Sequence, residues 1–314
     1  MSAGFPVHDR ANLPPPRLEE VAAGLFAYVQ PDGSWWINNT GFIVGDDHVL
    51  SIDTCATERR TLAYLDVVER VAGRQPKMLL NTHHHGDHTN GNCFLPWATI
   101  IGHERCREEI IRTGIIDPVG FIEPVEWGAL TAAPPFVTFQ HRLTVWVGGR
   151  PVELHHVNTA AHTTNDVVAW VPDVRVLYTG DLVFNGGTPF VLMGSVAGAL
   201  EALDRIMEFD AAVIVPGHGP VCTPAEVATV GAYLRFVQRL AEEGYRAGES
   251  PLEVARAAEL GDFAALTDPE RLVGNLHRAY AECAGARPGD PIDLDVAFSD
   301  MITFNEGRPL RCLA

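Results

Sequence analysis

A group of metal-ligand residues follows a short apolar run near residue 80. The run Met78-Leu79-Leu80 predicts a buried strand that ends where the polar residues 81–88 begin. Side chains alternate between faces in an extended segment, so His83 and His85 are expected on one side and His84 on the other. The two histidines that share a side therefore form half of a predicted metal site.

The next residues extend this group. Gly86 allows the chain to turn, and Asp87 and His88 are then predicted to open a helix, where they offer a carboxylate and another imidazole. A solvated polar loop is the alternative, but four ligand-type residues within six positions favour a site for two adjacent metal ions. His84 is still interpreted as a solvated loop residue, because it is expected on the side away from His83 and His85. Cys93 is interpreted as a small buried hydrophobe rather than as a ligand.

Three more ligand-type residues each follow a predicted β-run farther along the chain. His162 ends a polar loop, Asp181 follows the run at 176–178, and His218 lies at the tip of Pro216-Gly217-His218-Gly219. Sites in α/β sheets lie at the ends of strands, so these residues are expected at the same sheet edge as the first group.

Asp53 ends another apolar run and precedes a predicted helix over residues 57–72. Two interpretations stay open. Asp53 orients a metal-bound histidine by accepting a hydrogen bond from its second ring nitrogen, or Asp53 or Thr54 caps the helix.

Aromatic residues mark a candidate substrate pocket. Trp35 and Trp36 follow a predicted turn, and neighbouring residues of an extended segment cannot both face one side. At least one tryptophan is therefore exposed or lines a pocket, and a flap over the substrate is the sharper hypothesis. The proline-broken, apolar segment at about 114–136 is interpreted as an insertion that packs near this pocket.

Composition limits the classes of protein that fit. Of the 314 residues, 46% are hydrophobic and 20% are charged, as is typical of a globular enzyme. The net charge of −17 argues against a nucleic-acid partner. The sequence has no apolar run of membrane-spanning length, and residues 1–10 lack the features of a secretory signal. Six scattered cysteines without C-x-x-C spacing indicate reduced thiols, so a cytoplasmic location is predicted.

The predicted organisation is a catalytic domain over residues 1–222, with an N-terminal arm at 1–17, and a helical region over residues 223–314. Proline near the first turn predicts helices at 224–247, 251–260 and 269–283. His277 lies in the third helix and is expected to face the sheet domain or its pocket. A substrate-binding role and a core histidine with satisfied hydrogen bonds both stay open for His277.

The full ligand set resembles the five-motif signature of the metallo-β-lactamase superfamily over about residues 20–222, with Asp53 in its first motif. The resemblance implies an αββα sandwich with two metal ions at one edge and Asp87 and Asp181 as catalytic residues. It implies three sets of ligands: His83, His85 and His162 on one ion; Asp87, His88 and His218 on the other; Asp181 between them. True zinc β-lactamases have cysteine or serine in place of Asp181, which argues against antibiotic hydrolysis.

Nitrogen-rich ligands with two carboxylates favour two zinc ions, although iron or manganese would be tolerated. Such a site hydrolyses esters, thioesters and lactones, because it activates water and polarises a carbonyl. The same polarisation can promote a ring-closing aldol condensation.

A narrower resemblance suggests the substrate. Residues 188–198, 275–279 and 312–314 look like those of metallo-β-lactamase-fold cyclases and thioesterases of bacterial aromatic polyketide biosynthesis, of the actinorhodin second-ring kind. This implies a polyketide substrate that is free or bound to an acyl carrier. The expected substrate-binding residues are Trp35, Trp36, Phe184, Phe190, Met193 and His277.

Three alternatives stay open. The first is a general thioester, ester or lactone hydrolase of the glyoxalase II or lactonase kind. The second is a mononuclear iron dioxygenase of the same fold, which needs one half of the ligand set. The third is a binding module without catalytic activity, although the complete ligand set argues against it. The sequence does not determine the oligomeric state.

Overall fold

The computed structural model describes residues 13–116 and 118–314. Most of the predicted N-terminal arm, and the segment from which the absence of a secretory signal is inferred, lie outside these residues. Residues 13–16 have no regular secondary structure, and the first strand begins at Arg17. None of the helices in the described part of the chain combines the length and the apolar character needed to cross a membrane.

The first sheet has seven strands, which are hydrogen-bonded in sequence order. They are β1 (Arg17–Ala22), β2 (Leu25–Val29), β3 (Thr40–Val44), β4 (Val49–Ile52), β5 (Met78–Leu80), β6 (Thr99–His103) and β7 (Val137–Phe139). Strands β1 to β4 pair antiparallel, and β4 to β7 pair parallel. The carboxyl ends of β4, β5 and β6 therefore meet at one edge, where Asp53 and the first histidines follow.

The second sheet has five strands in the order β12-β11-β10-β9-β8. They are β8 (Arg142–Val147), β9 (Arg150–His156), β10 (Val167–Val171), β11 (Val176–Phe184) and β12 (Val213–His218). Neighbours pair antiparallel except β11 and β12, which pair parallel.

Helices cover both sheets. They are α1 (Glu58–Ala72), α2 (Gly86–Thr89), α3 (Glu104–Thr113), α4 (Val196–Glu208), α5 (Pro224–Ala247), α6 (Pro251–Ala257), α7 (Arg271–Cys283) and α8 (Leu294–Phe304). Short 3-10 helices span Asn90–Phe94 and Gly261–Ala265. Helix α1 begins where the Thr57 side chain accepts a hydrogen bond from the backbone N–H of Arg60, so neither Asp53 nor Thr54 caps it.

Three apolar cores lie between these layers. The middle core joins side chains of both sheets, such as Ile43 and Leu50 of the first and Leu154 and Val167 of the second. Another core packs Phe42 of the first sheet against α1, and the third packs the second sheet against α4, α5 and α7. Each sheet buries one face on the other sheet and one face on helices. This order of layers confirms the predicted αββα sandwich.

Several predicted elements differ from the structure. Residues 17–29 form a hairpin of β1 and β2, because Gly24 has φ +75° and turns the chain between the two strands. Helices α6 and α7 are shorter than predicted, and α4 and α8 were not predicted. Helices do follow residue 222, but the division into two domains at that residue stays a prediction.

Candidate metal centre

Loops and strand ends at one edge of the sandwich carry the ligand-type side chains. His83 and His85 lie between β5 and α2, while α2 carries Asp87 and His88. His162 lies between β9 and β10, and His218 ends β12. The structure thereby brings together residues that are up to 135 positions apart (218 − 83).

Asp181 reaches the site in a way that the sequence analysis did not predict. It lies inside β11 rather than after it, since the strand continues to Phe184. The pairing of β11 with β12 shifts in register on both sides of Gly180. A bulged strand can aim one side chain away from its normal direction, which is how Asp181 reaches the sheet edge from within a strand.

The predicted ligands form two groups. His83, His85, His162 and Asp181 make the first, and Asp87, His88, Asp181 and His218 make the second, with candidate ligand atoms within 4.8 Å of one another in each group. Apart from the half-buried His85, these residues are buried. The membership matches the arrangement that the resemblance implies, with Asp181 shared. These clusters suit a dinuclear metal site.

Hydrogen bonds fix the ring orientation of four histidines. Each places Nδ1 next to an acceptor and turns Nε2 toward the site. The pairs are His83 with Thr82 Oγ1 (3.1 Å), His88 with Asp53 Oδ2 (2.8 Å), His218 with the Gly33 carbonyl (3.0 Å) and His162 with the Phe190 carbonyl. Thr82 Oγ1 donates to Asp53 Oδ2, so it is free to accept from His83. An acceptor at Nδ1 leaves Nε2 as the lone-pair nitrogen that a metal needs.

His85 has the opposite orientation. Its Nδ1 lies 2.8 Å from His162 Nε2, and its Nε2 lies 3.3 Å from Met193 Sδ. His85 would therefore hold a metal through Nδ1. Two imidazole nitrogens that face each other at this distance share one proton or one cation.

Unpartnered polar atoms test whether these residues fit metal ions. His83 Nε2, His88 Nε2 and Asp181 Oδ1 are buried without a hydrogen-bond partner. His88 Nε2 and Asp181 Oδ1 lie 3.0 Å apart, but their mutual orientation does not make a hydrogen bond. A buried polar atom without a partner costs about 1–3 kcal/mol. Three such atoms directed into one nitrogen-rich space fit zinc or a similar cation.

The charges of the site are strongly coupled. Burial alone would raise the pKa of Asp181, but His218, His88 and His162 hold it well below its usual range. Burial lowers the pKa of His83 and His85 well below 6.5. These two rings are therefore neutral near pH 7, as metal ligands must be.

Three residues lie beside the ligand groups, and one of them matches its predicted role. Asp53 is buried and accepts from the Thr82 N–H at 2.8 Å as well as from His88, which is the orienting arrangement. His84 points away from the ligands, but it is half-buried and its Nδ1 accepts from Asn165 at 3.0 Å instead of being solvated. Cys93 lies outside both ligand groups and is half-buried rather than buried, with its thiol near the Asn90 carbonyl.

A cavity of about 260 Å³ opens onto the ligands. Five of its lining residues are those expected from the sequence: Trp35, Trp36, Phe184, Phe190 and Met193. Trp35 packs edge-on against Phe190, with ring centroids 4.9 Å apart. The insertion also reaches the cavity, through Ile116, Pro118, Phe121 and Ile122.

His277 does not line the cavity. Its Nε2 lies 2.8 Å from Asp300 Oδ2, so it joins α7 to α8. Residue 277 lies one turn from Val273, but α8 covers that side of α7, and this is why the expected pocket location was wrong.

Four lining residues were missed by the sequence analysis: Arg271, Leu294, Asp295 and Phe298. The last three belong to α8, which Asp293 caps by accepting from the Val296 N–H. An aspartate followed by spaced apolar residues could have signalled this helix. No local sequence pattern could have placed Arg271 in the cavity, because its position beside Trp35 depends on tertiary packing.

Comparisons with known proteins agree with this geometry. The chain is 30% identical to a hydroxyacylglutathione hydrolase of Rhizobium meliloti (strain 1021) over 172 residues, which cover 54% of this chain and 56% of the relative. It is 22% identical to a linear primary-alkylsulfatase of Pseudomonas sp. (strain ATCC 19151) over 81% of this chain and 57% of the relative. The chain thus spans little more than half the length of each relative.

A solved metallo-beta-lactamase from Pontibacter korlensis has the same fold, with a TM-score of 0.59 at 17% identity; the match covers 70% of this chain and 99% of that one. The family model described as Metallo-beta-lactamase superfamily matches residues 33–218. Because that match covers more than half of the sequence, the chain belongs to the metallo-beta-lactamase superfamily.

Proposed function

We propose that this protein is a dizinc enzyme that acts on the thioester of an aromatic polyketide, delivered free or on an acyl carrier. It would hydrolyse the thioester or close a second ring before the product leaves. His83, His85 and His162 would hold one ion. The second ion would be held by Asp87, His88 and His218, and Asp181 belongs to both ligand groups.

One observation carries the proposal: two ligand clusters form the floor of an aromatic cavity. His85, Asp87, His162, Asp181 and His218 line the same space as the aromatic side chains. Flat aromatic groups pack well against tryptophan and phenylalanine, and a small number of polar groups then fixes the reacting atom. A polycyclic acyl chain with one reactive carbonyl matches that division of roles.

The chemistry divides between the ions and the protein. Bound zinc ions would supply a water of lowered pKa and Lewis-acid polarisation of the substrate carbonyl. Asp53 and the Phe190 carbonyl keep the ligand histidines in one tautomer. Trp35 and Phe190 would hold the first aromatic ring, so that the carbonyl is oriented before reaction.

A second candidate is a glutathione thioester hydrolase, which the relative at 30% identity favours. Glutathione has free carboxylates that need cations. Arg271 is the single arginine or lysine among the described residues that line the cavity, and its Nη2 already pairs with Asp268 at 2.9 Å. The cavity therefore favours an apolar acyl group over an anionic one.

Metal analysis of the purified protein tests the first part of the proposal. Close to two zinc ions per chain are expected, and Asp181→Ala, which removes the shared carboxylate, should lower that number. A protein that contains one iron and consumes O₂ would support the dioxygenase alternative. If no substrate is turned over and ligand binding survives removal of the metal, the binding-module alternative is supported.

Incubation with a bicyclic aromatic polyketide thioester in ¹⁸O-water tests the reaction, with mass spectrometry of the product. Label in a free carboxylate demonstrates hydrolysis, and an unlabelled, dehydrated ring demonstrates cyclisation. Parallel reactions use a glutathione thioester, a simple lactone and a linear alkyl sulfate. If only these are turned over, the polyketide assignment is wrong and the general hydrolase remains.

A further inference from the structure

One face of helix α7 contacts the backbone of residues 188–193. Arg271, Asn275 and Arg278 are spaced four and three residues apart, so they share this face. All three side chains are buried. Charged and amide groups at such depth require hydrogen-bond partners, and most of these partners are backbone atoms of the 188–193 segment.

The contacts follow the segment almost residue by residue. Arg271 Nη1 donates to the Thr188 carbonyl at 3.0 Å, and Asn275 Nδ2 donates to the Pro189 carbonyl at 2.7 Å. Arg278 donates through Nε and Nη2 to the Leu192 carbonyl, at 2.9 and 2.8 Å.

The same segment contacts two candidate ligands. The Phe190 carbonyl accepts from His162 Nδ1, and Met193 Sδ lies 3.3 Å from His85 Nε2. The side chain of Phe190 also packs on α7, where a Cβ added to Gly274 would lie 2.8 Å from its ring. The helix and the ligands therefore hold opposite sides of one segment.

A single peptide group joins them most directly. Asn275 Oδ1 accepts from the Val191 N–H at 2.9 Å, and that N–H belongs to the same peptide unit as the Phe190 carbonyl. A trans peptide is planar, with N–H and C=O pointing in opposite directions. When Asn275 holds the N–H, the carbonyl is directed at His162.

We propose that Asn275 is a positioning residue of the metal centre, which fixes the tautomer of His162 through the 190–191 peptide. The helical region then takes part in the site rather than only covering the sandwich. This inference rests on the proposed metal occupancy but not on the proposed substrate. Partners of this kind typically change metal affinity by about 10- to 100-fold.

The first test is the tautomer of His162, measured by long-range ¹H–¹⁵N NMR of histidine-labelled protein with and without zinc. A protected Nδ1–H signal is expected in the wild type, assigned by its loss in His162→Gln. Asn275→Ala should weaken its protection from solvent exchange. A wild-type His162 that is protonated at Nε2 would overturn the proposal, whatever substrate the enzyme uses and whether or not zinc binds.

The second test is zinc affinity, measured by competition with a chromogenic chelator. Asn275→Ala should weaken binding at least about tenfold. Asn275→Asp keeps the acceptor for the Val191 N–H, and its buried carboxyl, in the protonated form, can still donate to the Pro189 carbonyl, so zinc affinity should stay near that of the wild type. If Asn275 only stabilises the fold, zinc affinity should follow the stability of the variants. Asn275→Asp, which buries a carboxyl group, should then bind zinc no better than Asn275→Ala.

Glu282→Ala is the matched control. Glu282 lies on the same helix and accepts from two backbone N–H groups, those of Val196 and Ala197, at 2.8 and 3.2 Å. Glu282→Ala should lose about as much folding stability as Asn275→Ala, but its zinc affinity should not fall. If Asn275→Ala and Glu282→Ala bind zinc equally well, or if Asn275→Asp is as weak as Asn275→Ala, then α7 has no positioning role.

Discussion

Asp53 Oδ2 lies 2.8 Å from Nδ1 of His88, and both side chains are buried. Burial raises the pKa of Asp53, while the pKa of His88 is raised well above 6.5 because Asp181, Asp53 and Asp87 outweigh its burial. The carboxylate thus holds a proton at Nδ1 and leaves Nε2 to face the site. This pair links the first sheet to the metal centre.

Replacing Asp53 by asparagine should weaken zinc binding by about 10- to 100-fold, because the neutral amide is a poorer acceptor for His88. Asp53 has φ +60°, a conformation that asparagine also tolerates, so the backbone should be unaffected. Competition with a chelator measures the affinity. Asp173→Asn, at an exposed ion pair with Arg150, serves as the control. Equal affinities of the two variants would show that Asp53 does not support His88.

Gly217→Ala should displace the Asp181 side chain although it replaces none of the ligand residues. A Cβ at residue 217 would overlap Asp181 Oδ1 and would lie 2.7 Å from the backbone carbon of Gly180. Because backbone cannot yield cheaply, we expect a loss of about 1–3 kcal/mol in stability and a lower zinc content. Gly149→Ala is the control, since nothing lies within 4 Å of its added Cβ. A variant that retains two zinc ions and wild-type stability would contradict the geometry at Asp181.

The metal-free protein should lose stability as pH rises from about 6.5 to about 9. Burial alone would lower the pKa of His218, but Asp181 and Asp87 raise it to about 9. A raised pKa stabilises the fold fully below the unfolded value of 6.5, and this contribution is lost as pH passes the folded value. The loss is ~3 kcal/mol for one histidine.

Thermal unfolding of chelator-treated protein across this pH range measures the effect. His218→Gln should make the dependence shallower, because one titrating ring is gone while His88, whose pKa is also raised, remains. Zinc-loaded protein should be flat, since the metal replaces the proton on Nε2. A melting temperature of the metal-free wild type that rises between pH 6.5 and 9 would show that His218 is not protonated in the folded state.

Truncation of the aromatic residues that line the cavity should change substrate specificity more than it changes the chemical step. Trp36 packs against Trp127 at 4.9 Å between ring centroids, and both Trp36 and Phe190 adjoin the cavity. Trp36→Ala or Phe190→Ala should reduce kcat/KM for a bulky aromatic thioester by tenfold or more, about 1.4 kcal/mol, and for a small acyl ester much less. Asp87→Ala should abolish both activities. Equal losses on both substrates would place these aromatic residues outside the substrate pocket.

The sequence by itself determined the ligand types and the strand ends that carry most of them, while the sandwich architecture was implied by its resemblance to a known family. The ligand types and strand ends follow from local rules. Alternation in a strand separates His84 from its neighbours, and parallel strands bring their carboxyl ends to one edge, where His83 and His85 follow β5.

Only the tertiary structure decided how the site is supported. Asp181 reaches its place through a bulge in β11, which depends on pairing with β12 and has no local signature. Arg271 and Asn275 act on residues more than 80 positions away in the chain, and His277 faces α8 instead of the cavity. Which side of a helix meets which segment is set by how several layers pack together, and no single stretch of sequence contains that information.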